Sequence, residues 1–153
     1  MKSRSWISRS EDETIAIGQE IARELPSKAA VLLIGNLGAG KTTLTKGIVM
    51  GLGAALADDV SSPTFTLIHE YSARVIHIDL YRLDTPEEVA TLGLEEIFDR
   101  DGVVLIEWGE RFPDLMPAER IEVRLLATDE DSRRIHLTTP PVIWAGPASG
   151  ATT

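Results

Sequence analysis

Ala29-Ala30-Val31-Leu32-Leu33-Ile34-Gly35-Asn36-Leu37-Gly38-Ala39-Gly40-Lys41-Thr42-Thr43 decides the architecture of this chain. Six apolar residues in a row read as a strand buried on both faces. The next eight fit G-x-x-x-x-G-K-[ST], and the stretch from Thr43 to Leu52 has helical spacing. A strand, a glycine-rich turn and a helix in that order form a phosphate-binding loop. The glycines let successive backbone N–H groups face one anion, and the helix adds its positive N-terminal end. The spacing therefore sets Gly35, Leu37, Gly38, Ala39, Gly40, Lys41, Thr42 and Thr43 against a nucleoside triphosphate. Lys41 is expected to reach the β- and γ-phosphates, and the Thr42 hydroxyl to ligate Mg²⁺.

Mg²⁺ needs a further oxygen ligand, usually an acid at the C-terminal end of a neighbouring buried strand. Glu107 ends Gly102-Val103-Val104-Leu105-Ile106-Glu107, and Asp79 ends Val75-Ile76-His77-Ile78-Asp79. Either carboxylate could serve, or could merely cap the turn after it. Ser61-Ser62-Pro63-Thr64 occupies the place of a γ-phosphate sensor, although the same composition makes an ordinary polar loop. Trp108 either flanks the nucleotide or fills the core. His69, His77 and His136 lack metal-like spacing and read as strand residues. Glu87-Glu88 and Glu95-Glu96 read as solvated helix faces.

The chain has 153 residues, enough for one domain with a packed core and too few for a separate substrate module. It contains no cysteine, which excludes disulfides, a thiol nucleophile and cysteine-held zinc, and fits a cytoplasmic location. The basic start, Met1-Lys2-Ser3-Arg4, leads into charged residues, so neither a leader nor a membrane span is expected. A net charge of −9, with the 15 Lys and Arg scattered, argues against tight direct binding of nucleic acid.

Around the loop, Ser5 to Ser8 reads as a short edge strand, and Ser10-x-x-Glu13 as a capping box opening a helix. That helix should bury Ile17, Ile21 and Leu25 and stop at Pro26. The next helix carries Leu44, Ile48 and Leu52 on one face, with Gly53 as its stop. Asp58 to Pro63 is a polar loop. Thr64 to Tyr71 and Arg74 to Asp79 suggest a hairpin, and Thr85 caps a helical region interrupted at Gly93. Ile121 to Leu126 and Arg133 to Thr138 alternate around Asp129-Glu130-Asp131 as a second hairpin. The domain spans 1–139, and the Pro-, Gly- and Ser-containing residues 140–153 read as a flexible tail. The expected fold is an α/β, three-layer α/β/α P-loop NTPase domain with a mixed sheet, a parallel core extended by antiparallel hairpins.

Four blocks, the loop to Thr43, Ser62-Pro63-Thr64-Phe65-Thr66-Leu67, His77-Ile78-Asp79-Leu80-Tyr81-Arg82-Leu83 and Ile106-Glu107-Trp108, together resemble the bacterial TsaE (YjeE) family in kind, order and spacing. The resemblance covers roughly residues 5–138. It implies a small ATPase, weak in isolation, that uses ATP and Mg²⁺ and works with TsaB- and TsaD-like proteins in making threonylcarbamoyladenosine on tRNA. It implies that tRNA is met only through that complex. Carried over by motif, Lys41 and Thr42 hold phosphate and Mg²⁺, and Glu107 is the acidic metal partner. Thr64 and Asp79 join the hydrolysis-competent shell, and Trp108 borders the site. The family often has aspartate or glutamate where Asn36 stands. Adenine contacts are expected from the segment Ser10 to Thr14 and from the hairpin around Arg134. A small-metabolite kinase is the alternative, and a GTP switch lacks an Asn-Lys-x-Asp motif here.

Overall fold

The computed structural model of the chain describes residues 2–36, 38–54 and 67–139. The strand before the loop, β2 (Lys28–Ile34), has parallel neighbours on both sides, β5 (Gly102–Glu107) and β6 (Arg120–Ala127). β4 (Val75–Asp79) lies parallel to β5 on its far side. These four parallel strands are flanked by antiparallel ones: β3 (Ile68–Ser72) beside β4, and β7 (Arg133–Thr139) and then β1 (Lys2–Ser8) beyond β6. Among the described residues the sheet thus has seven strands in the order β1-β7-β6-β2-β5-β4-β3.

Side-chain alternation along the central strands produces the layers. Val31 and Leu33 of β2 and Val103 and Leu105 of β5 point to one face. There they meet Ile21 of α1 (Glu11–Glu24) and Leu44 and Ile48 of α2 (Lys41–Gly51). Ala30, Leu32, Val104 and Ile106 point to the other face. They pack with Val89 of α3 (Pro86–Ala90), Leu94 and Ile97 of α4 (Leu94–Asp99), and Phe112 and Met116, which close the two short 3-10 turns after β5. Both faces are covered, so the central strands read as continuous apolar runs. This is the α/β/α P-loop arrangement the sequence implied.

Local structure departs from the sequence reading in a few places. Ser10 caps α1 by accepting the Glu13 N–H at 3.0 Å, but the Glu13 carboxylate accepts from Arg9, one residue before the cap. The complete capping box is at Thr85, whose hydroxyl accepts the Glu88 N–H while Glu88 accepts the Thr85 N–H. The buried face of α1 is Thr14, Gly18, Ile21 and Ala22, with Ile17 and Leu25 only partly buried. Glycines explain that rotation. A Cβ at Gly18 would come within 2.6 Å of the Leu44 carbonyl oxygen, and one at Gly47 would collide with that of Ile15. The two helix backbones touch where the sequence suggested only larger apolar pairs. α2 begins at Lys41, two residues before Thr43, with Gly40 at φ +101° as its cap. The first hairpin forms with a register shift between Glu70 and Ser72, and Gly93 in left-handed conformation separates α3 from α4. The second hairpin forms as expected, but its first strand, β6, also joins the parallel core. The expected polar loop at 58–63, the strand residues 64–66 and the tail at 140–153 lie outside the described residues.

Candidate functional site

The strand order brings the phosphate-loop turn and the ends of β4 and β5 to one edge of the sheet. Within the loop, Gly38 (φ +81°) and Gly40 (φ +101°) adopt left-handed conformations that a side chain would strain. The Ala39 N–H donates to the Asn36 carbonyl at 3.0 Å, closing the turn. Gly35 sits at the base, where a Cβ would come within 2.8 Å of the Leu125 carbonyl oxygen. Ala39 is buried and packs into the core below.

Lys41 opens α2, and its side chain is withdrawn from solvent, at 5 % exposure. Its Nζ has no hydrogen-bond partner among the described residues and lies 3.7 Å from the centre of the Trp108 ring. Burial pushes the ammonium pKa below its usual 10.5, and the nearby carboxylates of Glu107, Glu110 and Asp79 oppose that shift without cancelling it.

Asp79 and Glu107 are register partners at the ends of neighbouring parallel strands, and both are buried. Backbone bonds fix those ends: the Asp79 N–H donates to the Leu67 carbonyl at 2.9 Å, and the Leu80 N–H to the Glu107 carbonyl at 3.0 Å. Asp79 Oδ1 accepts the Tyr81 N–H at 2.9 Å. Glu107 Oε2 lies 2.6 Å from His77 Nε2. After Glu107 the backbone turns left-handed at Trp108 (φ +67°), the sole positive φ outside glycine among the described residues. That turn sets the indole beside Tyr81, with ring centres 5.2 Å apart, and under the Lys41 ammonium.

These groups line a cleft of about 600 Å³ with Lys41, Thr42, Thr43, Asp79, Glu107 and Trp108 along its floor. One wall is the start of α1, with Ser10, Glu11 and Thr14. The other wall is the turn between β6 and β7, with Glu130, Asp131 and Arg133. Arg133, not Arg134, reaches the site, because adjacent strand residues point to opposite faces. Arg134 is exposed on the far face of β7, whereas Arg133 Nη2 donates to the Gly38 carbonyl at 3.2 Å. Arg133 Nη1 also donates to the Ser132 carbonyl at 2.9 Å, tying the turn to the phosphate loop.

Of the residues the sequence singled out, Lys41, Thr42, Asp79, Glu107 and Trp108 line one cleft, while Leu37 and Thr64 lie outside the described residues. The sequence reading passed over His77, read as an ordinary strand residue, and Arg133. Strand alternation carried a signal for both: His77 shares the face of Asp79, and Arg133 the face of Ile135. Among the described residues no three His, Cys, Asp or Glu side chains gather to hold a metal, and no helix is long and apolar enough to cross a membrane.

Residues 8–135 match the family model described as "Threonylcarbamoyl adenosine biosynthesis protein TsaE". The chain is 39 % identical over 141 residues to the Bacillus subtilis tRNA threonylcarbamoyladenosine biosynthesis protein TsaE, covering 90 % of this chain and 87 % of that one. To the Nostoc protein of that name it is 42 % identical, covering 83 % and 80 %. To the Treponema pallidum one it is 37 % identical, covering 84 % and 96 %. The crystal structure of Bacillus subtilis YdiB superposes with a TM-score of 0.73 at 33 % identity, covering 90 % of this chain and 86 % of that one.

Proposed function

Because the chain belongs to the TsaE family of tRNA threonylcarbamoyladenosine biosynthesis, we propose that it is a cytoplasmic, Mg²⁺-dependent ATPase that supports TsaB- and TsaD-like proteins in that modification. The observation that carries this reading is the Lys41 ammonium, buried without a hydrogen bond among the described residues, on a side chain that lines the cleft beside the phosphate loop. Burial of that cation outweighs the pull of the carboxylates near it, so it stays costly until a further anion meets it. A triphosphate supplies that anion, and Lys41 then binds the β- and γ-phosphates while the amides of the loop and of the start of α2 take the remaining oxygens.

The donor set also fits Mg²⁺. Thr42 and the Asp79–Glu107 pair offer hard oxygens, too few to cage a metal alone and suited to one that keeps waters and phosphate oxygens as ligands. When bound by Thr42 and Glu107, that ion would supply charge neutralisation on the triphosphate. Asp79, held by the Tyr81 N–H, orients the attacking water. The family resemblance assigns Thr64, outside the described residues, a part in the same step. Trp108 borders the phosphates. The turn at Glu130 to Arg133 and the start of α1 line the same cleft, and the nucleoside is assigned to the space between them.

With a net charge of −9 the chain gains little from the tRNA backbone itself, so its work passes through its partners. The test is multiple-turnover threonylcarbamoylation of tRNA by TsaB- and TsaD-like proteins with and without this chain. Product should exceed one turnover only when the chain is present with Lys41 and Glu107 intact. Equal yields over many cycles would refute the role in modification. Radiolabelled γ-phosphate appearing on a metabolite instead of in free phosphate would make the protein a kinase.

A further inference from the structure

We infer that His77 is a positioning residue, holding Glu107 in its working orientation through an Nε2–H···Oε2 hydrogen bond; this rests on the role proposed above for Glu107. His77 lies in the middle of β4, two residues before Asp79, so strand alternation places its ring on the side where Asp79 and Glu107 project. The ring is fully buried, and its Nε2 is 2.6 Å from Glu107 Oε2. Nδ1 is buried as well, with no hydrogen-bond partner among the described residues. A proton there would be a donor without an acceptor, so the geometry selects the tautomer whose proton is on Nε2, where the carboxylate accepts it.

The ring is itself braced. Tyr71 of β3 stacks on it with ring centres 6.3 Å apart, and His69 stacks on Tyr71 at 4.3 Å. β3 thus contributes an aromatic backing to the imidazole and, through it, to the Glu107 carboxylate. One carboxylate oxygen is taken by His77, leaving the other for the cleft. A glutamate side chain has three rotatable bonds, and without this bond Glu107 could turn toward the Lys41 ammonium instead of staying beside Asp79.

Three substitutions separate positioning from mere filling. Glutamine places an N–H donor the same number of bonds from the backbone as Nε2; asparagine places it one bond short; phenylalanine keeps the ring shape with no donor. His77→Phe and His77→Asn should lower kcat for ATP hydrolysis about 10- to 100-fold, the usual cost of losing a partner that orients a ligand, with KM for ATP unchanged. His77→Gln should recover most of kcat. In the unloaded chain, ¹⁵N NMR of the imidazole should show the Nε2–H tautomer, with the Nε2–H resonance shifting in Glu107→Gln. A Gln variant no better than the Phe variant would overturn the inference, as would an Nδ1–H tautomer or a resonance indifferent to Glu107→Gln. If the wild-type chain hydrolysed no ATP, alone or with its partners, the ATPase reading would fall, and the tautomer measurement would still decide the hydrogen bond.

Discussion

Replacing Lys41 by methionine should make the unloaded protein more stable while weakening its hold on ATP. The side chain keeps an apolar stem of the same length and loses the ammonium at its end. In the unloaded fold that ammonium is buried with no hydrogen bond among the described residues. An orphaned buried polar group costs about 1–3 kcal/mol, and a charged one more. Resting on Trp108 returns about 2 kcal/mol at a desolvated site. The nearby carboxylates return something too, yet the ammonium pKa is still lowered, so burial outweighs all their attraction. The net gain for Lys41→Met is roughly 1 kcal/mol, a rise in Tm of about 2–4 °C for a domain of this size. Loss of a charge-assisted bond to phosphate, about 1.5–3 kcal/mol, should weaken ATP about 10- to 150-fold. At an ATP concentration one hundred times the wild-type Kd, nucleotide stabilises the wild type by about 2.7 kcal/mol, and after a 100-fold loss by only about 0.4 kcal/mol. Thermal melts with and without MgATP read both effects at once. The pH dependence has a definite sign. An unfolded lysine keeps its proton to about 10.5 and the folded one releases it earlier, so the unfolded chain binds more protons in the window between the two values. Wild-type stability gains a rising component as pH climbs through that window, and Lys41→Met lacks it. A variant that melts lower than wild type and keeps its full ATP shift would refute the reasoning.

Three further outcomes are expected. Glu107→Gln and Asp79→Asn should keep the fold, since Asn retains the oxygen that accepts the Tyr81 N–H, yet lose ATP hydrolysis about 100-fold in a phosphate-release assay. Only Glu107→Gln should also raise the Mg²⁺ needed for half-maximal binding. Gly47→Ala should lose about 1–3 kcal/mol in denaturant titrations despite the better helix propensity of alanine, because the colliding Ile15 carbonyl is backbone and cannot rotate away. Arg133→Met should weaken ATP about tenfold by calorimetry through its lost bond to the Gly38 carbonyl, whereas Arg134→Met, on the far face, should bind as wild type.

Legibility in the sequence followed the range of the interactions involved. The loop, its strand and its helix are local, and a strict spacing announced them. Glu107 and Asp79 were legible because an acid ending an apolar run is rare and needs a partner. That they are register partners depends on β4 lying beside β5, a pairing between segments whose order in space no local pattern encodes. The same holds for β6 beside β2. Gly18 and Gly47 drew no notice in the apolar stripes, because what they accommodate is another backbone and not a side chain. Arg133 and Arg134 are alike in sequence, and a single step of the pleat separates a residue of the cleft from one on the opposite face.

The sheet order also has a consequence for synthesis. β1 pairs with β7, and Ser5 is bonded to His136 across 131 positions of chain. On a ribosome adding about 5–20 residues per second, the first strand waits on the order of ten seconds for its partner. β2 meanwhile has α1 and α2 close at hand but lacks its neighbour β6. A nascent chain halted before residue 120 would carry the whole phosphate loop on a sheet with one side bare, its apolar strand open to chaperones or to another chain. Ribosomes stalled at that point should hold a protease-sensitive product, and protection should appear only after the β6–β7 hairpin has cleared the exit tunnel.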